Sequence, residues 1–257
     1  MRDLRVTLLQ SMLQWEDAQA NRTRIGGVLP ALKGTTDLIV LPEMFTTGFS
    51  MRSTELAEGM DGPTVAWMRE QARTLDAALY GSVIIGEGGK QYNRGLFVEP
   101  DGHVTTYDKR HLFRYADETS HFSAGVDRVV VPWRGWRLLL QICFDLRFPV
   151  FARNRGDYDA ILYVANWPEA RRHAWSHLLI ARAIENQCYV VGVNRVGMDG
   201  KGIHYTGDSA IISPKGEVDA VNPYPGIHTA VLDRNTLEDF RRKFPVALEA
   251  DDFTLGG

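Results

Sequence analysis

The chain has 257 residues and a mass of 28.9 kDa, enough to bury a full core, and one large α/β domain over residues 1–257 accounts for that length. Hydrophobic residues at 44% and charged residues at 24% match an ordinary globular protein and exclude a disordered chain. A formal net charge of -3 and a pI of about 6.2 leave no surplus of Lys and Arg for a phosphate backbone, which excludes nucleic acid as a partner.

The N-terminus leads straight into a strand-like run, "LRVTLLQ" (4–10), without the long apolar stretch of a secretory signal, so no export is expected. A helix-spaced segment over 17–33 and a second strand, "DLIVLPE" (37–43), complete a β-α-β opening. A helix over 63–76 starts on Pro63 and returns to strand in "AALYGSVIIGE". "RGLFVEP" and "HVTTYDK" flank the Pro100-Asp101-Gly102 turn as a hairpin, and a second hairpin over 128–142 turns at Arg134-Gly135.

A short helix near 149–154, a strand over 160–168, a long helix over 172–187 and a strand over 189–197 follow. "DSAIISPKGEVDA" and "HTAVLD" read as a further hairpin pair, and a short helix and a polar tail follow from Leu237. No internal repeat, low-complexity segment or linker is visible. Hairpins mixed with β-α-β units imply a mixed sheet or two sheets covered by helices. All apolar runs fall far short of the roughly 20 residues a spanning helix needs, so no membrane partner is expected. Two cysteines cannot build a disulfide framework and suit a reducing cytoplasm, which is the expected location.

Of the two, Cys188 lies between a helix end and an apolar strand and reads as a core thiol. Free cysteine is commonly buried, so the same reading comes first for Cys143. Its setting argues otherwise, because "RLLLQI" is a strand buried on both faces and Cys143 ends it, just before a turn. Glu43 likewise ends the strand "DLIVLPE", and Lys109 follows "HVTTYD", where an ammonium could lower a thiol pKa and hold an oxyanion. Each alone reads as a surface charge; three strand ends together read as a site.

Rival signatures fail. "GEGGKQ" and "GMDGKG" lack the spacing of nucleotide-binding loops, and no G-x-S-x-G elbow occurs. "HAWSH" sets two histidines at i and i+4 without the Glu or the third ligand of a zinc site, so no metal is expected.

"LPEMF" around Glu43, "YDKRHLF" around Lys109 and "CFDLRFP" around Cys143 resemble the Glu, Lys and Cys motifs of the nitrilase superfamily of carbon-nitrogen hydrolases. The order matches, with Lys109 66 residues after Glu43 and Cys143 34 after Lys109. "ANWP" and "ARAIENQCYV" extend the likeness over residues 4–233. The resemblance implies an α/β fold of four layers, an α-β-β-α sandwich, and homodimers paired through one helical layer. It also implies a second glutamate, mapped onto Glu118 in "ADETSHFSAG" by its distance from Gly125.

"DKRHLFRYADE" and "NWPEARRHAW" are most similar to the bacterial omega-amidase branch, which hydrolyses the terminal amides of 2-oxo acids. That implies a small-molecule amide substrate, no cofactor, and attack by Cys143 with Glu43 as base. Lys109 and the Phe144 backbone N–H would hold the oxyanion, with Glu118 orienting Lys109. Lys109→Ala is expected to be nearly dead while remaining folded. Arg147, Arg171 and Arg172 are candidates for a substrate carboxylate, and Trp167 and Phe113 for apolar pocket walls. A carbamoyl amino acid hydrolase, an aliphatic nitrilase and a silent binding protein are the alternatives.

Overall fold

The structure, a computed structural model, describes residues 2–220, 224–251, 253 and 254. Part of the polar tail therefore lies outside the described residues. The first part of the chain holds β1 (Leu4–Gln10), α1 (Ala18–Val28), β2 (Leu38–Val40), α2 (Ser53–Leu56), α3 (Pro63–Leu75), β3 (Ala78–Glu87), β4 (Lys90–Val98), β5 (Val104–Asp108) and α4 (Glu118–His121). Next come β6 (Val130–Trp133), β7 (Trp136–Ile142), α5 (Pro149–Ala152), β8 (Ala160–Ala165), α6 (Arg172–Asn186) and β9 (Tyr189–Asn194). The remainder holds β10 (Val196–Met198), β11 (His204–Thr206), β12 (Ala210–Ile212), β13 (Val218–Ala220), β14 (Gly226–Leu232) and α7 (Arg234–Lys243).

Two six-stranded sheets stack face to face, in the orders β14-β1-β2-β3-β4-β5 and β13-β12-β9-β8-β7-β6. The period of two along each strand decides which side chains meet. In the first sheet Val6, Leu8, Leu38, Val40 and Tyr80 face the second sheet, in one core with Leu138, Leu140 and Leu162. Leu9, Ile39 and Leu79 point the other way, onto Ile25 of α1 and Val65 and Met68 of α3. Trp175, Leu179 and Ala183 of α6 cover the second sheet. The layers are thus α-β-β-α, as the resemblance implies.

The sequence reading is corrected at the last hairpin. β12 and β13 form a hairpin with each other, but the segment holding "HTAVLD" crosses to the first sheet and runs antiparallel to β1, Leu4 opposite Leu232. The almost wholly buried β1 would otherwise present an open edge inside the fold, and unpaired backbone there is costly.

The chain also contains a structural repeat that its sequence conceals. β1-β2-β3 and β7-β8-β9 are matching parallel triplets. Each is locked at its base by the same clasp. Arg5 binds Asp37 through its backbone N–H (2.9 Å) and guanidinium and reaches Gly34 O (2.6 Å); Arg137 does the same to Asp159 (3.1 Å) and Gly156 O (2.6 Å). The clasps sit at one end of both sheets, leaving the C-terminal ends of the parallel strands for other chemistry.

Candidate active site

At those ends the chain departs from regular structure. Glu43 lies three residues beyond β2, where Met44 turns with φ 42° and its N–H donates to Ser82 Oγ at 2.8 Å. Cys143 follows β7 directly, with φ 46°, at the first position of a short 3-10 helix, Cys143–Arg147. A positive φ costs a non-glycine residue about 1–3 kcal/mol, and the turn is held by its neighbours. Asp145, fully buried, accepts from Ile142 N (2.9 Å), Tyr107 Oη (2.7 Å), His111 N (3.0 Å) and His111 Nδ1 (2.7 Å). It thereby ties the cysteine turn to the loop that carries Lys109.

Lys109 is buried between two carboxylates. Its Nζ donates to Glu43 Oε1 and to both oxygens of Glu118, each at 2.9 Å. Asn93 Nδ2 donates to Glu43 Oε1 (2.7 Å) and Glu118 Oε1 (3.3 Å), so one amide links both acids. Glu43 Oε2 accepts from Asn166 N at 2.8 Å, and Asn166 Nδ2 donates to the Glu43 carbonyl. Glu118 accepts further from Phe113 N at 2.5 Å. The loop after Glu118 is pinned by Gly125, whose N–H donates to Lys109 O (3.0 Å) and where a Cβ would stand 2.2 Å from Asp108 O.

Burial alone would lower the Lys109 pKa, but Glu118 and then Glu43 outweigh it and raise it, so Lys109 is an ammonium. Burial raises the Glu118 pKa; Lys109 opposes that and Glu43 adds to it. Burial and the adjacent Glu43 push the Cys143 thiol well above its ordinary range, and Lys109 offsets this only in part. Lys109 does lower the thiol pKa, in the direction expected from the sequence, but desolvation outweighs the ammonium. The sulfur rests as a thiol and needs a base.

Lys109 and Cys143 form the floor of a cavity of about 420 Å³, with Glu43 and Glu118 fully buried behind it. Phe113, Phe144, Trp167 and Arg147, all proposed from sequence, lie in its walls. Phe144 is the second residue of its 3-10 helix, where backbone N–H groups lack intrahelical acceptors. Arg147 lies over the Trp167 ring at 5.2 Å and Arg171 over the Phe113 ring at 5.0 Å. Arg172 falls outside this group: it pairs with Asp208 at 2.6 Å.

Sequence reasoning missed Asn93, Asn166, Asp145 and His111. Their signal is faint, a polar side chain at or near the end of an apolar run. Among the described residues no group of three or more His, Cys, Asp and Glu side chains is placed to hold a metal ion.

A profile of the carbon-nitrogen hydrolase family matches residues 5–242. The Omega-amidase YafV of Escherichia coli is 49% identical over 260 residues, covering 99% of this chain and 100% of its own. A 2-oxoglutaramate amidase of Bacillus subtilis is 33% identical over 216 residues, covering 82% and 83%. Among solved structures, XC1258 from Xanthomonas campestris, a CN-hydrolase superfamily protein, superimposes with a TM-score of 0.98 at 48% identity over all of both chains. The chain belongs to the carbon-nitrogen hydrolase family.

Proposed function

We propose that this protein is an omega-amidase, hydrolysing the terminal amide of small 2-oxo acid amides to a carboxylate and ammonia. The observation that carries the reading is one ammonium, Lys109, held between Glu43 and Glu118 on the cavity floor beside Cys143. The names of the Escherichia coli and Bacillus subtilis relatives support the substrate class.

In this reading Glu43 takes the thiol proton as Cys143 Sγ attacks the amide carbon. The oxyanion forms against Lys109 Nζ and the Phe144 N–H. The intermediate collapses as Glu43 passes its proton to the nitrogen; the C–N bond breaks, ammonia departs and a thioester remains. Glu43 then deprotonates water for attack on the thioester, the C–S bond breaks, and the proton returns to sulfur as the acid leaves. Glu118 fixes Lys109 and takes no proton. Arg147 pairs with the distal carboxylate, and Phe113 and Trp167 pack on the carbon chain.

One domain carries all of this, and two copies pair through the layer of α5 and α6, where Val150 and Ile184 are exposed. Two unpaired cysteines fit a cytoplasmic location. The test is ammonia release from a panel of terminal amides, carbamoyl amino acids and nitriles, with Cys143→Ala as control. Release from 2-oxo acid amides, lost in the variant, supports the reading; preference for nitriles or carbamoyl compounds overturns it.

A further inference from the structure

The cavity gathers cations that no carboxylate neutralises. Arg5, Arg94, Arg128 and Arg137 each rest on a carboxylate. Arg147 and Arg171 line the inner cavity and also a more open one of about 440 Å³ beside it. Among the described residues neither guanidinium meets a carboxylate. Each lies over an aromatic ring, Trp167 and Phe113, and a guanidinium on a ring face can keep its in-plane N–H fork for a ligand.

A third cation comes from the β10–β11 hairpin. Lys201 lines the inner cavity, and among the described residues its ammonium has no acidic partner either. The one acid in that wall, Asp199, is committed to the hairpin: Oδ1 accepts from Lys201 N and Ile203 N, and Oδ2 from Tyr205 Oη, each at 2.9 Å. Gly200 packs against Trp15, where a Cβ would stand 2.3 Å from the ring, so the tip has one seat. The backbone of Arg171 is held likewise, its carbonyl accepting from Trp167 Nε1 at 2.8 Å.

We propose that Arg171 and Lys201 are specificity-determining residues: with Arg147 they form a ring of three unpaired cations around the cavity, which selects terminal amides whose far end carries a carboxylate. This rests on the amidase reading above, where Arg147 meets the distal carboxylate, and adds Lys201 to it and gives Arg171, a candidate from the sequence, a share in the same selection. Aromatic and aliphatic walls alone would accept a neutral amide of the same length. Cations there exclude positively charged amides and draw in anionic ones.

The test compares the monoamide of a short dicarboxylate with a neutral, methyl-terminated amide of equal length, as a ratio of kcat/KM. Wild-type protein favours the anionic amide. Arg171→Gln and Lys201→Gln each lower the ratio on the order of tenfold, the loss of one charge-assisted hydrogen bond, and Lys201→Arg keeps it. A structural role would lower both substrates together and leave the ratio unmoved. If the wild type prefers the anionic amide and both Gln variants keep the full ratio, this inference is wrong and the amidase reading stands. If the wild type hydrolyses neither amide, the amidase reading itself fails.

Discussion

Lys109 and Glu43, 66 residues apart in sequence, form a 2.9 Å ion pair in which neither side chain is more than 1% exposed. With Glu118 on the same ammonium, the group is one ammonium at the cavity floor and two carboxylates buried behind it. In the proposed mechanism the general base and the oxyanion donor are therefore one electrostatic unit.

Removing Lys109 leaves two buried carboxylates without their cation. Lys109→Met is expected to lose at least about a hundredfold in kcat and about 3–5 kcal/mol of stability. The expectation from sequence, an alanine variant nearly dead while remaining folded, gains a stability cost from this burial. Turnover and the urea midpoint measured together check it; an unchanged midpoint contradicts the burial argument.

Asn93 supplies a neutral donor to Glu43 and Glu118 at once. Asn93→Ala should cost about 1–3 kcal/mol through the acceptors it strands. It should also lower kcat with little change in KM, because it positions the base without touching substrate. A rise in KM at constant kcat would place Asn93 in binding instead.

The raised Cys143 pKa gives a signed prediction. Alkylation by iodoacetamide should be slow at neutral pH and climb in the alkaline range. Glu43→Gln removes a negative charge that opposes the thiolate, so its profile shifts to lower pH. Lys109→Met removes a charge that favours the thiolate and shifts it to higher pH. Flat, fast alkylation at neutral pH in the wild type would contradict the thiol resting state.

The clasps predict acid behaviour. Burial raises the Asp37 pKa, but bonding to Arg5 and the charge of Arg134 outweigh it and bring it to about 2. A depressed folded pKa means stability that is present above the unfolded value of about 4 and is lost as pH falls toward 2. Asp37→Asn should be less stable at neutral pH and flatter between about pH 4 and pH 2. Urea midpoints against pH test this; parallel curves would show that Asp37 carries no pH-linked stability.

Much of the site is legible in the sequence. Glu43 and Cys143 each end an apolar run and Lys109 follows a strand, and the three strand ends together, rather than any one alone, mark the site. Glu118 stands in no such position, and only the resemblance finds it. Asn93, Asn166 and Asp145 escape because their partners lie across strands, and register is not written in any local pattern. The repeat escapes for a related reason: the arginine and the glycine of each clasp are 29 residues apart in one half and 19 in the other. Lys201 looks like any turn lysine until the hairpin is seen to fold over the cavity.

The most direct test is peptide mapping by mass spectrometry of protein quenched during turnover of a 2-oxo acid amide. The account predicts an acyl adduct, one substrate less ammonia in mass, on the peptide holding Cys143 and none on that holding Cys188. Ammonia release with no adduct at any quench time, or an adduct on Cys188, would contradict it.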